Sequence, residues 1–218
     1  MTANATAVLF DLDGTLVDTA PDLVDAVNRT RAALGLAPVP EPQVRPHVSR
    51  GGMAMLRAGI PEAGEPDQAL LKRFLDLYLE HIFVRTELFP GMGAVLDEIE
   101  ARGVPWGIVT NKPGWLTTPL LAAMGLDRRT RCAISGDTLP TRKPAPEPVL
   151  EACRLIGAQP ASTLMVGDDL RDVQSANAAG AIAVIAEWGY LGVDEPHSTW
   201  GAPYSIAAPE GLLQLIRP

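Results

Sequence analysis

Short runs of consecutive apolar residues recur along the chain, and polar residues follow them. Three runs are clear: residues 7–10 (AVLF), 106–109 (WGIV) and 163–167 (TLMVG). Two weaker runs cover residues 132–135 (CAIS) and 181–186 (AIAVIA). Continuous apolar runs of this length are typical of strands that are covered on both faces. The pattern therefore predicts a buried parallel sheet.

Segments with helical periodicity lie between these runs. Met92, Val95, Leu96 and Ile99 follow the i, i+3, i+4, i+7 spacing of one helix face, and Gly103 is placed to end that helix. Further helices, each of which stops at a glycine, are predicted over residues 114–125, 146–157 and 169–180. Because strands and helices alternate through this part of the chain, we predict a doubly wound α/β fold.

Residues 18–89 interrupt the alternation, because they contain helical patterns and no convincing strand. The first predicted helix begins with a T-x-x-D capping box at Thr19 and Asp22 and ends at Gly35. A second helix is predicted over residues 67–83. Its apolar side carries Leu70, Leu71, Phe74, Leu75, Tyr78 and Leu79.

Proline-rich stretches at 38–46 and 61–66 separate these helical pieces. We therefore predict two units. Residues 1–17 and 90–218 form the parallel-sheet core, and residues 18–89 form an inserted, all-helical domain. The chain is expected to cross between the two units near residues 16–19 and 86–90.

Polar side chains follow the three clear runs at their carboxyl ends. They are Asp11 and Asp13 after the first run, Thr110 and Asn111 after the second, and Asp168 and Asp169 after the third. In open α/β sheets, ligands bind at the carboxyl ends of the strands. We therefore expect these side chains to converge on one site, although aspartate is also common in ordinary turns.

Composition narrows the classes of function. The 218 residues are 47% hydrophobic and carry a net charge of −8, which argues against nucleic acid as a partner. The two cysteines, Cys132 and Cys153, show neither metal-ligand spacing nor a disulfide framework. The first residues lack a signal-peptide pattern, and no apolar run is long enough for a membrane span. We expect a cytoplasmic location and no membrane partner, and the sequence does not decide between monomer and dimer.

Lysine is rare in this chain, which contains only Lys72, Lys112 and Lys143. Lys143 follows the run at 132–135, where one fixed ammonium could offset the charge of an anionic substrate and of a carboxylate nucleophile. A solvated loop lysine is the alternative.

The D-x-D-G run is not an EF-hand loop, which requires glycine and glutamate where the chain has Leu16 and Asp22.

Four segments together resemble the motifs of the haloacid dehalogenase (HAD) phosphohydrolases, in that family's order and spacing. They are DLDGTLVD, VTNK, RKP and VGDDLRD. The resemblance spans nearly the whole chain, and the helical insertion resembles that family's type 1 cap. It implies a HAD Rossmann-like core and a phosphoric monoester hydrolase.

The resemblance also implies a role for each matching residue. Asp11 would be the nucleophile that forms an aspartyl-phosphate, and Asp13 would be the general acid and then the base. Thr110 and Asn111 would bind the phosphoryl oxygens together with Lys143, which would also steady Asp11.

Mg²⁺ is the implied cofactor. Asp168 would bind it together with Asp11 and the backbone carbonyl of Asp13, a set of oxygen donors that suits this cation. Asp172 would orient the site. Asp169 either caps the helix that begins there, which its N-cap preference favours, or lies at or behind the metal.

In the cap, residues 45–56 (RPHVSRGGMAML) hold the candidate residues for substrate binding. Ser49, Arg50 and Gly51 precede an apolar, helix-like run. The segment is therefore either a helix N-terminus that offers backbone N–H groups to an anion or a glycine-rich hinge. Arg50 is the first candidate for binding a substrate carboxylate, and Arg45 is the second.

Longer stretches resemble two groups of phosphatases within the family. FDLDGTLVDTAPDL is similar to phosphoglycolate phosphatases, whereas VSRGGMAML, WGIVTNKP and WGYL are more similar to N-acetylmuramic acid 6-phosphate phosphatases. Both substrates join a phosphate to a carboxylate, so we expect a small carboxylated phosphate ester, with the muramic sugar preferred. There are three alternatives. They are a sugar phosphomutase, a Schiff-base phosphonate hydrolase that would use Lys72, and a non-enzymatic phospho-accepting signalling protein.

Overall fold

A computed structural model describes residues 3–192 and 196–217 of the chain. The strands are β1 (Ala7–Phe10), β2 (Val17–Asp18), β3 (Glu87–Leu88), β4 (Trp106–Val109), β5 (Ala133–Ile134), β6 (Thr163–Gly167), β7 (Ile182–Ala186) and β8 (Tyr204–Ile206). The α-helices are α1 (Ala20–Ala33), α2 (Glu41–Val44), α3 (Gly52–Gly59), α4 (Gln68–Glu80), α5 (Met92–Ala101), α6 (Gly114–Met124), α7 (Glu147–Ile156) and α8 (Leu170–Ala179). Across the two described ranges, none of the helices combines the length and the apolar character that a membrane crossing needs.

The main sheet has the strand order β5-β4-β1-β6-β7-β8, and all of its neighbouring strands run parallel. The three clear apolar runs are its central strands: Leu9 of β1 lies opposite Gly107 of β4 on one side and Met165 of β6 on the other. The chain order reverses at β1, so the carboxyl ends of β1 and its neighbours border the crevice in which such sheets bind ligands.

Alternate residues of the central strands enter two separate hydrophobic clusters. Phe10 and Ile108 pack with residues of α5, α6 and the helical insertion, whereas Leu9 and Val109 pack with residues of α7 and α8. Helices thus cover both faces of the sheet, and for that reason its strands are apolar throughout. The predicted doubly wound α/β fold is confirmed.

Residues 20–80 contain helices and no strand. At the borders of this region, β2 pairs antiparallel with β3, with Val17 opposite Leu88 and Asp18 opposite Glu87. A two-stranded ribbon therefore joins the insertion, called the cap below, to the core where the chain crossings were predicted. In α4, Phe74 and Tyr78 are fully buried but Leu79 is 38% exposed, so the buried side of this helix is narrower than its sequence suggests.

The predicted capping box at Thr19 is wrong. Thr19 occupies the N-cap of α1 but makes no side-chain cap hydrogen bond, and its hydroxyl donates instead to Asp13 Oδ1 at 2.6 Å. Asp22 accepts hydrogen bonds from the backbone N–H groups of Val84, Arg85 and Thr86. Contacts outside the capping box therefore replace the local cap at both positions.

The edge strand β8 was not predicted. It has three residues, Tyr204–Ile206, and all three are at least partly exposed, so no apolar run marks it in the sequence.

Candidate active site

The loop after β1 brings two carboxylates to the centre of the sheet edge. The N–H of Asp11 still donates to Val166 O of β6 at 2.8 Å, and the chain then turns, so that Gly14 N–H donates to Val17 O at 3.0 Å. Gly14 has a φ of +88°, and a Cβ at this position would lie 2.3 Å from Asp168 Oδ2. Only glycine allows this turn so close to the neighbouring carboxylate.

Lys143 lies between two buried carboxylates. Its Nζ donates to Asp11 Oδ1 at 2.7 Å and to Val109 O at 2.6 Å, and it lies 2.6 Å from Asp172 Oδ1. One ammonium thus faces two carboxylates. Burial raises the pKa of Asp11, and Lys143 opposes this effect without cancelling it.

Asp168, at the end of β6, is fully buried and accepts hydrogen bonds from three directions. Thr15 Oγ1 donates to its Oδ1 at 3.0 Å, whereas Ser49 Oγ and Tyr190 N–H donate to its Oδ2 at 2.8 and 3.0 Å. Burial and the nearby charge of Asp11 nevertheless raise the pKa of Asp168 to about 7.

Asp11, Asp168 and Asp172 form one carboxylate cluster, in which an oxygen of each residue lies within 4.8 Å of the other two. Burial raises the pKa values of all three, and repulsion from neighbouring carboxylates adds to this effect. The Lys143 ammonium faces two of the three carboxylates, so the fully ionised cluster would carry more negative charge than Lys143 offsets. Oxygen donors with excess negative charge fit Mg²⁺. The cluster includes Asp172 and not the carboxylate of Asp13, for which only the backbone carbonyl was expected to bind the metal.

Asp169 and Asp172 belong to the start of α8. Asp169 is the N-cap, its side chain accepts from Arg171 N–H at 2.9 Å, and its own N–H donates to Asp172 Oδ2 at 3.1 Å. Asp169 also forms an ion pair with the Arg171 side chain at 2.7 Å. The helix start therefore fixes Asp172, which in turn holds Lys143.

Asp13 lies apart from the carboxylate cluster. Its carboxylate accepts hydrogen bonds from the Thr19 hydroxyl and from Lys112 Nζ, the latter at 3.0 Å. Lys112 is buried, and its Nζ lies 4.5 Å from the ring centroid of Tyr78, on cap helix α4. Burial lowers the pKa of Lys112, but the charge of Asp13 more than reverses this and the net pKa is raised. Lys112 therefore stays charged between Asp13 and the cap.

Thr110 and Asn111 follow β4 at the same edge. Thr110 Oγ1 accepts from Lys112 N–H at 3.1 Å, which leaves the hydroxyl hydrogen available to a ligand. Asn111 Nδ2 donates to Lys143 O at 2.9 Å, so Asn111 braces the loop that carries Lys143.

A cavity of about 490 Å³ lies between this edge of the sheet and the cap. Asp11, Asp13, Thr110 and Lys143 line it from the core, and the segment from Ser49 to Met53 lines it from the cap. Most of the site residues that were predicted from strand ends and from the cap segment thus meet around one volume, whereas Asp168 and Arg45 do not line it.

The chain matches the haloacid dehalogenase-like hydrolases over residues 8–186, a span that contains both the core site and the cap. The chain belongs to the haloacid dehalogenase-like hydrolase family.

Curated relatives within this family carry two different names. N-acetylmuramic acid 6-phosphate phosphatase from Pseudomonas aeruginosa is 39% identical over 96% of this chain and 94% of its own length. A phosphoglycolate phosphatase from Xanthomonas campestris pv. campestris is 42% identical and covers 94% of each chain. The chain is accordingly a phosphatase of the HAD family.

The fold also matches solved structures of the family. The crystal structure of a predicted phosphoglycolate phosphatase from Haemophilus somnus superposes with a TM-score of 0.84, at 27% identity, and covers 97% of this chain and 98% of its own. The similarity thus includes the cap as well as the HAD core.

Sequence reasoning missed two residues of this HAD site, Lys112 and Tyr190. Lys112 follows Asn111 directly and is one of only three lysines, so its position in the VTNK motif was a usable signal. Tyr190 lies far from the motifs, but its hydroxyl donates to Asp18 Oδ1 at 2.9 Å and its N–H reaches Asp168. Only the tertiary structure reveals that Tyr190 contacts these two carboxylates.

Arg45 and Arg50 differ in their surroundings. Arg45 forms ion pairs with Asp18 and Glu41 at 2.7 and 2.8 Å and lies over the Tyr190 ring, outside the set of cavity-lining residues. Arg50 lines the cavity. The structure therefore gives Arg45 a place beside the crossing between the cap and the core, and of the two arginines it keeps only Arg50 as a candidate for contacting substrate.

Proposed function

We propose that the protein is a Mg²⁺-dependent phosphomonoesterase that acts through an aspartyl-phosphate on Asp11. The observation that carries this proposal is the placement of Asp11. It is a buried carboxylate at the end of the central strand, it lies 2.7 Å from the Lys143 ammonium, and it lines the cavity under the cap. A nucleophile for an anionic ester needs such a cation beside it.

The reaction would proceed in two displacements at phosphorus. A carboxylate oxygen of Asp11 attacks phosphorus, the bond from phosphorus to the ester oxygen breaks, and Asp13 gives a proton to the departing alkoxide. The Thr110 hydroxyl contacts the phosphoryl oxygens, and the charge of Lys143, held beside Asp11, offsets theirs. Water then attacks the phosphorus of the aspartyl-phosphate, Asp13 takes the proton, and inorganic phosphate leaves with Asp11 restored.

Asp11 and Asp168, with the backbone carbonyl of Asp13, would hold the Mg²⁺. When bound, the ion would neutralise the phosphate charge and reduce its repulsion with Asp11. We assign Asp172 an orienting role because it holds the Lys143 ammonium through Oδ1 and the N–H of Asp169, at the start of α8, through Oδ2.

The cavity supports N-acetylmuramic acid 6-phosphate as the substrate. Its volume of about 490 Å³ lies within the range of sites that enclose ligands much larger than a two-carbon acid. Part of its cap side is an apolar wall of Val48, Met53, Met55, Leu71 and Leu75, next to Ser49, Arg50 and Gln68. These side chains could cover the methyl groups of the lactyl and acetyl substituents, which 2-phosphoglycolate lacks, while Arg50 faces the carboxylate.

2-Phosphoglycolate is the second candidate, because relatives of that name are as similar to this chain as those named for the muramic sugar. Sequence identity does not separate the two substrates, and the volume and apolar wall of the cavity favour the larger one.

The test is a comparison of kcat/KM for N-acetylmuramic acid 6-phosphate, 2-phosphoglycolate and glucose 6-phosphate, a hexose phosphate without the carboxylate. We expect the muramic sugar to lead both others by at least about tenfold, which corresponds to ~1.4 kcal/mol in the transition state. Asp11→Asn should abolish turnover of all three, and so should chelation of Mg²⁺.

Arg50→Ala is the matched variant for the carboxylate contact. It should raise KM for the muramic sugar while leaving KM for p-nitrophenyl phosphate nearly unchanged. Preference for 2-phosphoglycolate would transfer the assignment to the second candidate, and turnover by Asp11→Asn would contradict the covalent mechanism itself.

A further inference from the structure

The carboxylate of Asp168 is held from both the core and the cap. Its Oδ1 accepts from Thr15 and its Oδ2 from the Tyr190 N–H, and both donors belong to the core. The remaining donor is the hydroxyl of Ser49, which lies in the cap, 119 positions earlier in the chain, and reaches Oδ2 at 2.8 Å. This third hydrogen bond can form only when the cap rests on the core.

The backbone of Ser49 is fixed to the same part of the core. Its carbonyl accepts a hydrogen bond from Arg171 Nη2, and Arg171 is itself held by Asp169. Ser49 is thus attached at two points to the segment 168–171, which carries Asp168 and Asp169. The cap segment around Ser49 and the carboxylate of Asp168 therefore have their positions fixed together.

The hydrogen bonds also define which oxygen of Asp168 a cation would use. An ionised carboxylate offers about four lone-pair positions, two on each oxygen. Ser49 and Tyr190 occupy both positions on Oδ2, and Thr15 occupies one on Oδ1. Counting donors among the described residues, the open position is on Oδ1. Ser49 therefore donates to Oδ2, and a metal ion would bind Oδ1.

We propose that Ser49 is a positioning residue that couples cap closure to metal binding, an inference that rests on the Mg²⁺ site of the proposed function. With the cap closed, the Ser49 hydroxyl orients Asp168 for the cation. Groups that hydrogen-bond to a metal ligand and orient it are commonly worth 10–100-fold in metal affinity. Because coupling between two equilibria is reciprocal, bound Mg²⁺ must also favour the closed cap.

The experiment measures both sides of this coupling on the full chain after removal of metal by EDTA. Calorimetry gives the Kd for Mg²⁺, and hydrogen exchange gives the protection of residues 45–52 with and without saturating Mg²⁺. In the wild type we expect Mg²⁺ to increase that protection. In Ser49→Ala we expect a Kd about tenfold weaker and no increase in protection at saturation.

Two variants serve as matched controls. Ser49→Thr keeps the hydroxyl and should behave as the wild type. Thr15→Val removes a donor to Asp168 from the core side, so it should also weaken the Kd by about tenfold, yet Mg²⁺ should still increase protection of residues 45–52. Thermal unfolding of each variant checks that it is folded.

The outcomes separate this inference from the function on which it rests. A wild-type chain that binds no Mg²⁺ would contradict the proposed function and the inference with it. Two outcomes would overturn only the coupling. One is a Kd for Mg²⁺ in Ser49→Ala equal to that of the wild type, and the other is hydrogen exchange in the wild-type cap that does not change when Mg²⁺ is added. Loss of affinity in Ser49→Ala with the Mg²⁺-induced protection retained would also overturn it, because the signal would then not pass through Ser49.

Discussion

Two carboxylates, Asp22 in the cap and Asp168 in the core, have almost no exposed surface, but Asp168 lies deeper in the protein and the two are surrounded differently. Asp22 accepts hydrogen bonds from the N–H groups of Val84, Arg85 and Thr86 and from the Thr86 hydroxyl. Burial raises its pKa, but these donors outweigh burial and the net pKa is lowered. Asp168 also has several donors, yet its pKa is raised to about 7 because burial and the charge of Asp11 prevail.

The comparison shows that hydrogen bonds alone do not distinguish a structural carboxylate from a functional one. At Asp22 the donors satisfy the charge, and the result is a fixed joint between α1 and the second chain crossing. At Asp168 burial is deeper and a second carboxylate, Asp11, lies nearby, so its donors do not satisfy the charge. A surplus of this kind marks a place for a cation or an anion-handling reaction.

The largest expected effect, on both stability and turnover, comes from removing the Lys143 ammonium, which offsets part of the negative charge of the carboxylate cluster. Lys143→Met leaves Asp11 and Asp172 buried without it, which we expect to lower the free energy of unfolding by about 3–5 kcal/mol and to abolish turnover. Lys112→Met is the matched variant, because Lys112 is equally buried but faces the single carboxylate of Asp13, which keeps the Thr19 hydroxyl. There we expect a loss of about 1–3 kcal/mol.

Urea unfolding and kcat measure both variants. Adding Asp172→Asn to Lys143→Met should recover part of the lost stability, because one of the two uncompensated charges disappears. Equal losses in Lys143→Met and Lys112→Met would show that the core cluster carries no special surplus.

The second prediction concerns pH, and the two carboxylates should act in opposite directions. The folded-state pKa of Asp168 is above its ordinary value of 3.8, so its contribution to stability is complete below that value and is lost as the pH rises through about 7. The folded-state pKa of Asp22 is below 3.8, so its contribution is present above that value and is lost as the pH falls through the lowered pKa. Each pKa unit corresponds to about 1.4 kcal/mol.

Chemical unfolding in EDTA between pH 3 and 8 separates the two contributions. Asp168→Asn should flatten the loss of stability toward neutral pH, and Asp22→Asn should flatten the loss toward acid. Mg²⁺ should stabilise the wild type more at the alkaline end than at the acidic end, because it competes with the proton for the cluster. A metal-free protein whose stability rises steadily from pH 5 to 8 would contradict the surplus of negative charge.

The positions of the core residues at the site, including Asp168, could be predicted from the sequence. Parallel strands that are covered on both faces are apolar throughout, and their carboxyl ends meet at one edge, so the positions of Asp11, Thr110 and Asp168 followed from the runs that precede them. Asp169 was expected at a helix N-cap because of its residue type, and the structure places it there.

The contacts between the cap and the core could not be predicted in the same way. Ser49 reaches Asp168 through tertiary packing across 119 positions of the chain, which follows no fixed spacing, and Thr19 reaches Asp13 across the turn after β1. The capping box at Thr19 failed because its hydroxyl donates to Asp13 and accepts no hydrogen bond from the backbone of α1. Lys112 could have been predicted in part. Its position next to Asn111 pointed to the site, whereas its ion pair with Asp13 is visible only in the structure.

The smallest expected effect is at Lys72, which tests whether the cap supplies chemistry of its own. Schiff-base formation requires an unprotonated amine, which proteins obtain by burying the lysine. Lys72 lies on α4 with its side chain 76% exposed, pairs with Asp76 at 2.6 Å and is not among the residues that line the cavity. Exposed pairs of this kind contribute between about 0.2 and 1 kcal/mol. Lys72→Met should therefore change the free energy of unfolding by no more than that and leave kcat and KM within about twofold. The same helix presents Tyr78 to the buried Lys112, so steady-state kinetics of Lys72→Met and Lys112→Met compare an exposed lysine on α4 with a buried one beneath it. A loss of turnover in Lys72→Met as large as in Lys112→Met, together with borohydride trapping of a phosphonate aldehyde on Lys72, would assign the chemistry to the cap.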